Sequence, residues 1–135
     1  MVDRDAVAEL LAAYAAANDV RDARLVAGCF TEDASFTLHI AGAPTIGPLE
    51  PRDALVAFFA AAFAEQDDQR RHVVTNLRLL ERAEDRARGE AYLTLIVTDG
   101  GSTTLQSAGR YDIEVVLDGA AWRFRAMTLH LDSPF

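Results

Sequence analysis

The apolar residues near the start of the chain repeat with the period of an α-helix. One stripe contains Val7, Leu10, Leu11, Tyr14 and Asn18, at i, i+3, i+4, i+7 and i+11. Asp3 or Asp5 caps the predicted helix, which runs to about Asn18. The stripe turns polar at Tyr14 and Asn18, which indicates that this end of the helix borders a cavity.

Two further helices and one strand are predicted before residue 70. Asp22 caps a short helix that runs through Phe30, and Pro51 opens a third helix. Between them, residues 35–40 alternate as a strand, and residues 41–50 form a loop rich in glycine and proline. The buried stripe of the third helix contains Leu55, Phe59, Ala62 and Phe63.

From residue 70 onward the pattern changes to the period of two that is typical of strands. Four long strands are predicted, at residues 71–81, 87–99, 103–117 and 122–131, with hairpin turns at residues 99–102 and 118–119. Helices followed by an antiparallel meander indicate the α+β class. Three helices are too few to cover a flat sheet, so we expect a strongly curved sheet wrapped round them, with a cavity at its mouth.

The first long strand carries a histidine within an apolar run. Because side chains alternate along a strand, His72, Val74 and Asn76 are predicted to share one face. An imidazole, a small apolar side chain and an amide together are more typical of a pocket lining than of a sealed core.

Composition narrows the function classes. The chain has 135 residues, which suits a single domain over 1–135, and its formal net charge is −8. This acidity argues against nucleic acid and anionic membrane surfaces as partners. The single cysteine, Cys29, allows no internal disulfide and is interpreted as a buried structural thiol. The charged N-terminus and the absence of an apolar run of about 20 residues favour a cytoplasmic protein.

Three local motifs then resemble a known family. The first is Tyr14, four residues and Asp19-Val-Arg-Asp22, followed by Cys29-Phe30-Thr-Glu-Asp33-Ala34. The second is Arg71-His72-Val-Val-Thr75-Asn76, and the third is Gly109-Arg110-Tyr111-Asp112 with Trp122-Arg123-Phe124. Their order and spacing resemble the SnoaL-like branch of the nuclear transport factor 2 superfamily. The resemblance covers nearly the whole chain.

The resemblance implies a cone-shaped α+β barrel, often a homodimer packed through the outer face of the sheet. Members include scytalone-dehydratase-like and bile-acid-dehydratase-like lyases, polyketide cyclases, ketosteroid isomerases and epoxide hydrolases, and the barrel enzymes use no cofactor. The β subunits of ring-hydroxylating dioxygenases share the fold in a structural role. In the dehydratase-like members an aspartate at the end of the first helix works with a histidine on the sheet. Those positions match Asp19 and His72, and a helix tyrosine matches Tyr14.

Departures from the pattern favour the dehydratase or cyclase branch. The first strand, where ketosteroid isomerases carry a carboxylate, reads Phe36-Thr37-Leu38-His39. The Asp-Arg-Asp arrangement of the limonene-type epoxide hydrolases has no counterpart that can be placed. The dioxygenase β subunits are usually longer than this chain.

The leading candidate pair is His72 with Asp19. A carboxylate that accepts the imidazole N–H fixes the tautomer and raises the basicity of histidine, which suits acid–base chemistry near neutral pH. Loss of water needs a base for a carbon-bound proton and an acid for the departing hydroxyl, and one imidazole can serve as both in turn. Alternatively, His72 bonds Asn76 or a backbone carbonyl, and Asp19 faces water, since it lies about 100° from the buried stripe.

Other polar residues are candidate aids to substrate binding. Tyr14 and Tyr111 are candidates to donate a hydrogen bond to a developing oxyanion, or else are core tyrosines. The amide of Asn18 either holds a ligand group or bonds the second helix. Asn76 is a further candidate for substrate binding.

The aromatic residues and the remaining histidines complete the predicted pocket. The interpretation of the aromatic residues is an apolar wall in which most members are core residues: Phe58, Phe59, Phe63, Trp122 and Phe124. His130 is interpreted as a secondary polar group of the cavity. No spacing typical of metal ligands links the three histidines, so no metal site is predicted.

Together these features predict a cofactor-independent dehydratase, isomerase or cyclase that acts on a small hydrophobic ring compound, in a homodimer. The alternative is a non-catalytic module of the same fold that binds a small ligand or assists assembly. Catalysis requires Asp19 and His72 to lie within hydrogen-bond distance beside a cavity.

Overall fold

The computed structural model describes residues 2–134, which form three helices and six strands. In chain order they are α1 (Arg4–Asp19), α2 (Ala23–Gly28), β1 (Phe30–Ile40), β2 (Ile46–Leu49), α3 (Arg52–Ala64), β3 (Gln69–Arg82), β4 (Arg86–Asp99), β5 (Ser102–Asp118) and β6 (Ala121–Leu131). No helix in this part of the chain combines the length and apolarity that a membrane crossing demands.

The helices begin close to their predicted caps. The Asp3 carboxylate accepts the backbone N–H of Asp5, and the Asp22 carboxylate caps the first turn of α2. α2 ends at Gly28, two residues before the predicted end, because Phe30 already belongs to β1. Pro51 precedes the first helical residue instead of occupying it.

The six strands form one curved, unclosed sheet in the order β2-β1-β6-β5-β4-β3. β1 and β6 pair in parallel, and the other neighbours are antiparallel. The predicted α+β class and cone-shaped architecture are therefore confirmed. The predicted loop at residues 41–50 was partly wrong, because residues 46–49 form a short edge strand against β1. Edge strands tolerate glycine and proline because one side of the strand needs no ladder hydrogen bonds.

Two β-bulges decide which side chains face the helices. Between Thr75 and Arg78, β3 has one residue more than β4, and Asn76 adopts a positive φ of 58°. The bulge leaves Asn76 exposed and turns Leu77 toward the core. In β6 the extra residue is Arg125, so that Phe124 and Met127 are both buried.

The core is centred on Tyr14. Its ring makes edge-to-face contacts with Phe30, Phe59, Tyr111 and Phe124 at centroid distances of 5.6 to 6.1 Å. These partners come from the first strand, the third helix and the last two strands. One α1 side chain thereby joins the helices to the inner face of the sheet.

Candidate functional site: a histidine–aspartate pair beside a small cavity

Asp19 and His72 are hydrogen-bonded to each other. Oδ1 of Asp19 lies 2.7 Å from Nδ1 of His72 and also accepts the backbone N–H of His72 at 2.9 Å. Both side chains are about 15% exposed. One carboxylate oxygen therefore fixes the ring and the backbone of the histidine together.

Helix α1 ends in a way that lets Asp19 reach β3. The N–H of Val20 bonds back to Ala16 and Asn18, and Arg21 adopts a positive φ of 55°. The helix therefore stops at Asp19, as the pairing requires, although this residue lies off the buried stripe.

His72 lines a cavity of about 100 Å³ on the inner side of the sheet. Its apolar wall consists of Phe36, Leu38, Phe58, Phe59, Ala62, Phe63, Leu93, Leu95, Leu129 and Leu131, and its polar lining of Tyr14, Asn18, Gln66, Arg70, His72 and Tyr111. Most small-molecule pockets measure about 300 to 1,000 Å³, whereas an apolar cavity of about 150 Å³ can hold benzene. The cavity is smaller than that, so it limits a bound compound to at most one small ring.

The carboxylate lies on the other side of the histidine. Asp19 and His72 both line a groove of about 450 Å³ between α1 and β3, which also includes Arg4 and Asn76. His72 therefore separates the groove from the cavity, and Asp19 accepts its hydrogen bond from the groove side.

Five of the predicted site residues line the cavity: His72, Tyr14, Asn18, Tyr111 and Phe59. The amide of Asn18 donates from Nδ2 to the backbone oxygen of Tyr14 at 2.9 Å, so it bonds its own helix and not α2.

Four other predicted substrate-binding residues do not line the inner cavity, and the placement of His130 there was wrong. Asn76 lines the groove between α1 and β3 together with His72 and Val74, and the β3 bulge keeps it away from the inner cavity. The bulge at Arg125 reverses the predicted face of His130, whose Nε2 lies 3.0 Å from Asp112 Oδ2 on the outer side. Phe124 is fully buried beneath Tyr14, and Trp122 packs at the edge of the core.

Burial keeps both cavity tyrosines protonated. It raises the pKa of the Tyr14 phenol, and this effect outweighs the lowering effect of the nearby Asn18 side chain. Burial also raises the pKa of Tyr111 well above its ordinary value, and the nearby Tyr14 and Asp19 add to the shift. The two phenols are therefore available as hydrogen-bond donors at neutral pH.

The sequence interpretation missed two polar residues of the cavity, Gln66 and Arg70. Arg70 pairs with Asp68 at 2.9 Å and belongs to the strand alternation that also contains His72. Gln66 lies seven residues after Phe59 and three after Phe63, so it extends the buried stripe of α3. The signal for Gln66 is the continuation of that stripe past the end of α3, where spacing alone does not fix the direction of a side chain.

The described residues contain no group of three or more His, Cys, Asp or Glu side chains placed to hold a metal ion.

Comparison with known proteins gives the family. The model of the SnoaL-like domain family matches residues 1–128. The chain belongs to the SnoaL-like domain family. No curated protein matches it in a sequence comparison.

Solved structures of similar fold include several from Novosphingobium aromaticivorans. The β subunit of a candidate aromatic-ring-hydroxylating dioxygenase has a TM-score of 0.83 and 19% identity, over 98% of this chain and 90% of that chain. A candidate aromatic ring hydroxylase has a TM-score of 0.75 and 27% identity over the same shares. A candidate scytalone dehydratase has a TM-score of 0.73 and 18% identity, over 94% of this chain and 82% of that chain.

A nuclear transport factor 2-like protein with a cystatin-like fold, from the same organism, has a TM-score of 0.75 and 19% identity, over 96% of this chain and 81% of that chain, which supports this fold for the SnoaL-like domain. The 90% coverage of the dioxygenase β subunit also shows that length does not separate the chain from that protein.

Proposed function

We propose that this SnoaL-like domain is a cofactor-independent acid–base enzyme acting on a small ring compound in the inner cavity. The observation that carries the proposal is the Asp19–His72 hydrogen bond of 2.7 Å beside that cavity. Dehydration of a ring alcohol is the reaction that best fits one imidazole and two phenol donors.

The hydrogen bond supports a separate role for each of the two imidazole nitrogens. A carboxylate only accepts, so Nδ1 carries the proton and Nε2 has the lone pair. Nε2 would remove a carbon-bound proton and then return it to the departing hydroxyl, which leaves as water. Asp19 stabilises the imidazolium between these steps.

The phenols would stabilise charge that develops on the substrate. Tyr14 and Tyr111 both line the cavity and remain protonated. A donor held in a site that excludes water stabilises a developing oxyanion more than the ground-state oxygen. Isomerisation or cyclisation of a ring ketone would use the same groups.

The second candidate function is a non-catalytic binding or assembly module. It is favoured by the similarity to a solved β subunit of a candidate dioxygenase. In that case the cavity would bind a ligand without turnover, or the outer face would contact a larger subunit.

We also propose that the chain forms a homodimer through the outer face of the sheet. A cytoplasmic location stays a prediction. The outer face exposes Tyr92 at 50% and Leu105 at 69%, and Tyr92 lies near the Arg78–Glu90 ion pair. Sedimentation velocity should give a dimer that Leu105→Asp weakens, and a native monomer would contradict the proposal.

The test of the enzymatic proposal is Asp19→Asn, with Asp112→Asn as the matched control on the outer face. Native protein should show the Nδ1–H tautomer of His72 in two-bond ¹⁵N–¹H spectra and should dehydrate members of a panel of single-ring alcohols. Asp19→Asn should disturb the tautomer and slow turnover about 10²- to 10⁴-fold, whereas the control should change neither.

If native protein binds the panel without turning it over, the binding module becomes the better account. If turnover occurs and Asp19→Asn does not reduce it, the proposed role of the pair is wrong.

A further inference from the structure

The side-chain oxygen of Gln66 is the polar atom of the cavity that points to a ligand. Gln66 follows the last turn of α3, where its backbone N–H bonds the carbonyl of Phe63 at 3.1 Å. Its side chain lines the cavity, and its Oε1 is buried without a hydrogen-bond partner among the described residues. Buried polar groups are normally paired, so an unpaired acceptor at a cavity wall indicates a place for a donor.

The surroundings of Gln66 make this acceptor selective. Phe59 and Phe63 belong to the same wall, and they offer ring surfaces to a ligand but no strong acceptor. Tyr14 and Tyr111 are protonated and serve as donors. Gln66 therefore contributes an acceptor to a cavity whose phenols donate.

A hydroxyl group is the substituent that fits this arrangement best. It can donate to Oε1 of Gln66, and its own oxygen can still accept from another group. It would also bind if the amide were rotated to present its NH₂ group, because a hydroxyl oxygen accepts. The small volume limits the partner to a substituent on a single ring.

We propose that Gln66 is a specificity-determining residue that selects hydroxylated single rings over apolar rings of the same size. This inference rests on the proposed function, since it requires the cavity to bind a ring compound. It concerns binding alone and is independent of the Asp19–His72 chemistry. A site built to hydrogen-bond a hydroxyl discriminates against the analogue that lacks it, because its polar group is then left unpaired.

The experiment compares the dissociation constants of phenol and toluene by NMR chemical-shift titration. The two probes have similar size and differ in the hydroxyl. Gln66→Met removes the acceptor while keeping a side chain of similar length, and Gln66→Glu retains an acceptor oxygen. Gln106→Met is the matched control, since Gln106 is exposed on β5.

We expect native protein to bind phenol more tightly than toluene by about tenfold, equivalent to one hydrogen bond. Gln66→Met should reduce this ratio about 3- to 10-fold, largely by improving the binding of toluene. Gln66→Glu and Gln106→Met should keep the preference for phenol. Circular dichroism would establish that each variant is folded.

A native preference near one, or a ratio that Gln66→Met leaves unchanged, would overturn the role of Gln66. If neither probe binds native protein, the single-ring cavity is wrong and this inference falls with it. Turnover and the His72 tautomer report separately on the catalytic pair, so a failure of Gln66 is distinguishable from a failure of the enzymatic proposal.

Discussion

Each face of the sheet carries a histidine that pairs with an aspartate, and the two pairs differ in their surroundings. On the inner side, Asp19 holds Nδ1 of His72 at 2.7 Å, with both side chains about 15% exposed. On the outer side, Asp112 lies 3.0 Å from Nε2 of His130, with the side chains 40% and 35% exposed. The same two residue types thus occur in a sheltered site and on an open surface.

The difference shows that the pairing alone does not make a candidate active site. The inner pair adjoins a cavity with an apolar wall, whereas the outer histidine stacks on His39 and its aspartate also contacts Arg110. Water screens the outer charges and weakens their coupling. The inner pair is therefore the one that can combine orientation with a bound substrate.

Replacing each histidine is expected to give the largest contrast. His72→Gln should lower the rate at which the protein dehydrates a ring alcohol about 10²- to 10⁴-fold, because the acid–base group is lost. His130→Gln should leave turnover within about twofold, since its side chain lies on the other face of the sheet. Steady-state kinetics of both purified variants check this, and equal losses would show that the comparison has no catalytic meaning.

Replacing each aspartate by alanine should cause different losses in the free energy of unfolding for the two pairs. Asp19→Ala leaves the backbone N–H and Nδ1 of His72 without their acceptor, so we expect a loss of about 1 to 3 kcal/mol in the free energy of unfolding. Asp112→Ala should lose about 0 to 1 kcal/mol, as for an exposed pair. Urea unfolding measures both values. A greater loss from Asp112→Ala would reverse the assignment of the buried pair.

The pH dependence of stability should show how strongly the protein interior disfavours a charged Cys29 thiolate. Burial raises the pKa of the Cys29 thiol to about 11, against a smaller lowering effect of Arg123. The raised pKa stabilises the folded protein below about pH 8.5, and this contribution is lost as the pH rises toward 11. Between these limits native protein should lose about 1 to 2 kcal/mol more than Cys29→Ala. Unfolding curves of both proteins at pH 8, 9.5 and 11 measure the difference, and parallel losses would contradict it.

A high salt concentration should give the smallest difference between the two histidine–aspartate pairs. At 1 M ionic strength the Debye length is about 3 Å, so the contribution of an exposed ion pair falls by a few tenths of a kcal/mol. The destabilisation caused by Asp112→Ala should therefore shrink in 1 M NaCl, while that of Asp19→Ala should change less. Urea unfolding at the two salt concentrations tests this, and equal sensitivity would indicate equal exposure of the pairs.

The sequence predicted the elements better than the faces of the strands. The helical stripe through Tyr14 and the alternation of β3 around His72 were sufficient to place both residues at the cavity. One inserted residue reverses an alternation, and the bulges at Asn76 and Arg125 have no strong local signal. The predicted cavity position of His130 failed for that reason, and Asn76 lines the groove between α1 and β3 instead of the inner cavity.

Asp19 and Gln66 show a second limit of periodicity, at the ends of helices. Asp19 lies off the stripe of α1 and reaches His72 only because the helix stops there and the chain turns at Arg21. Gln66 lies on the extended stripe of α3 but just beyond the last helical residue. Stripe arguments apply inside a helix, so side chains at helix ends depend on backbone turns that spacing does not specify.

The parallel pairing of β1 with β6 has a consequence for how the protein folds. Thr37 lies opposite Thr128, so strands near the two ends of the chain must meet across about ninety residues. Contacts between distant parts of a chain require costly loop closure and generally slow folding. During synthesis, β1 and its edge strand cannot join the rest of the sheet until β6 has emerged from the ribosome. The exposed apolar face of β1 would be vulnerable to aggregation for that interval.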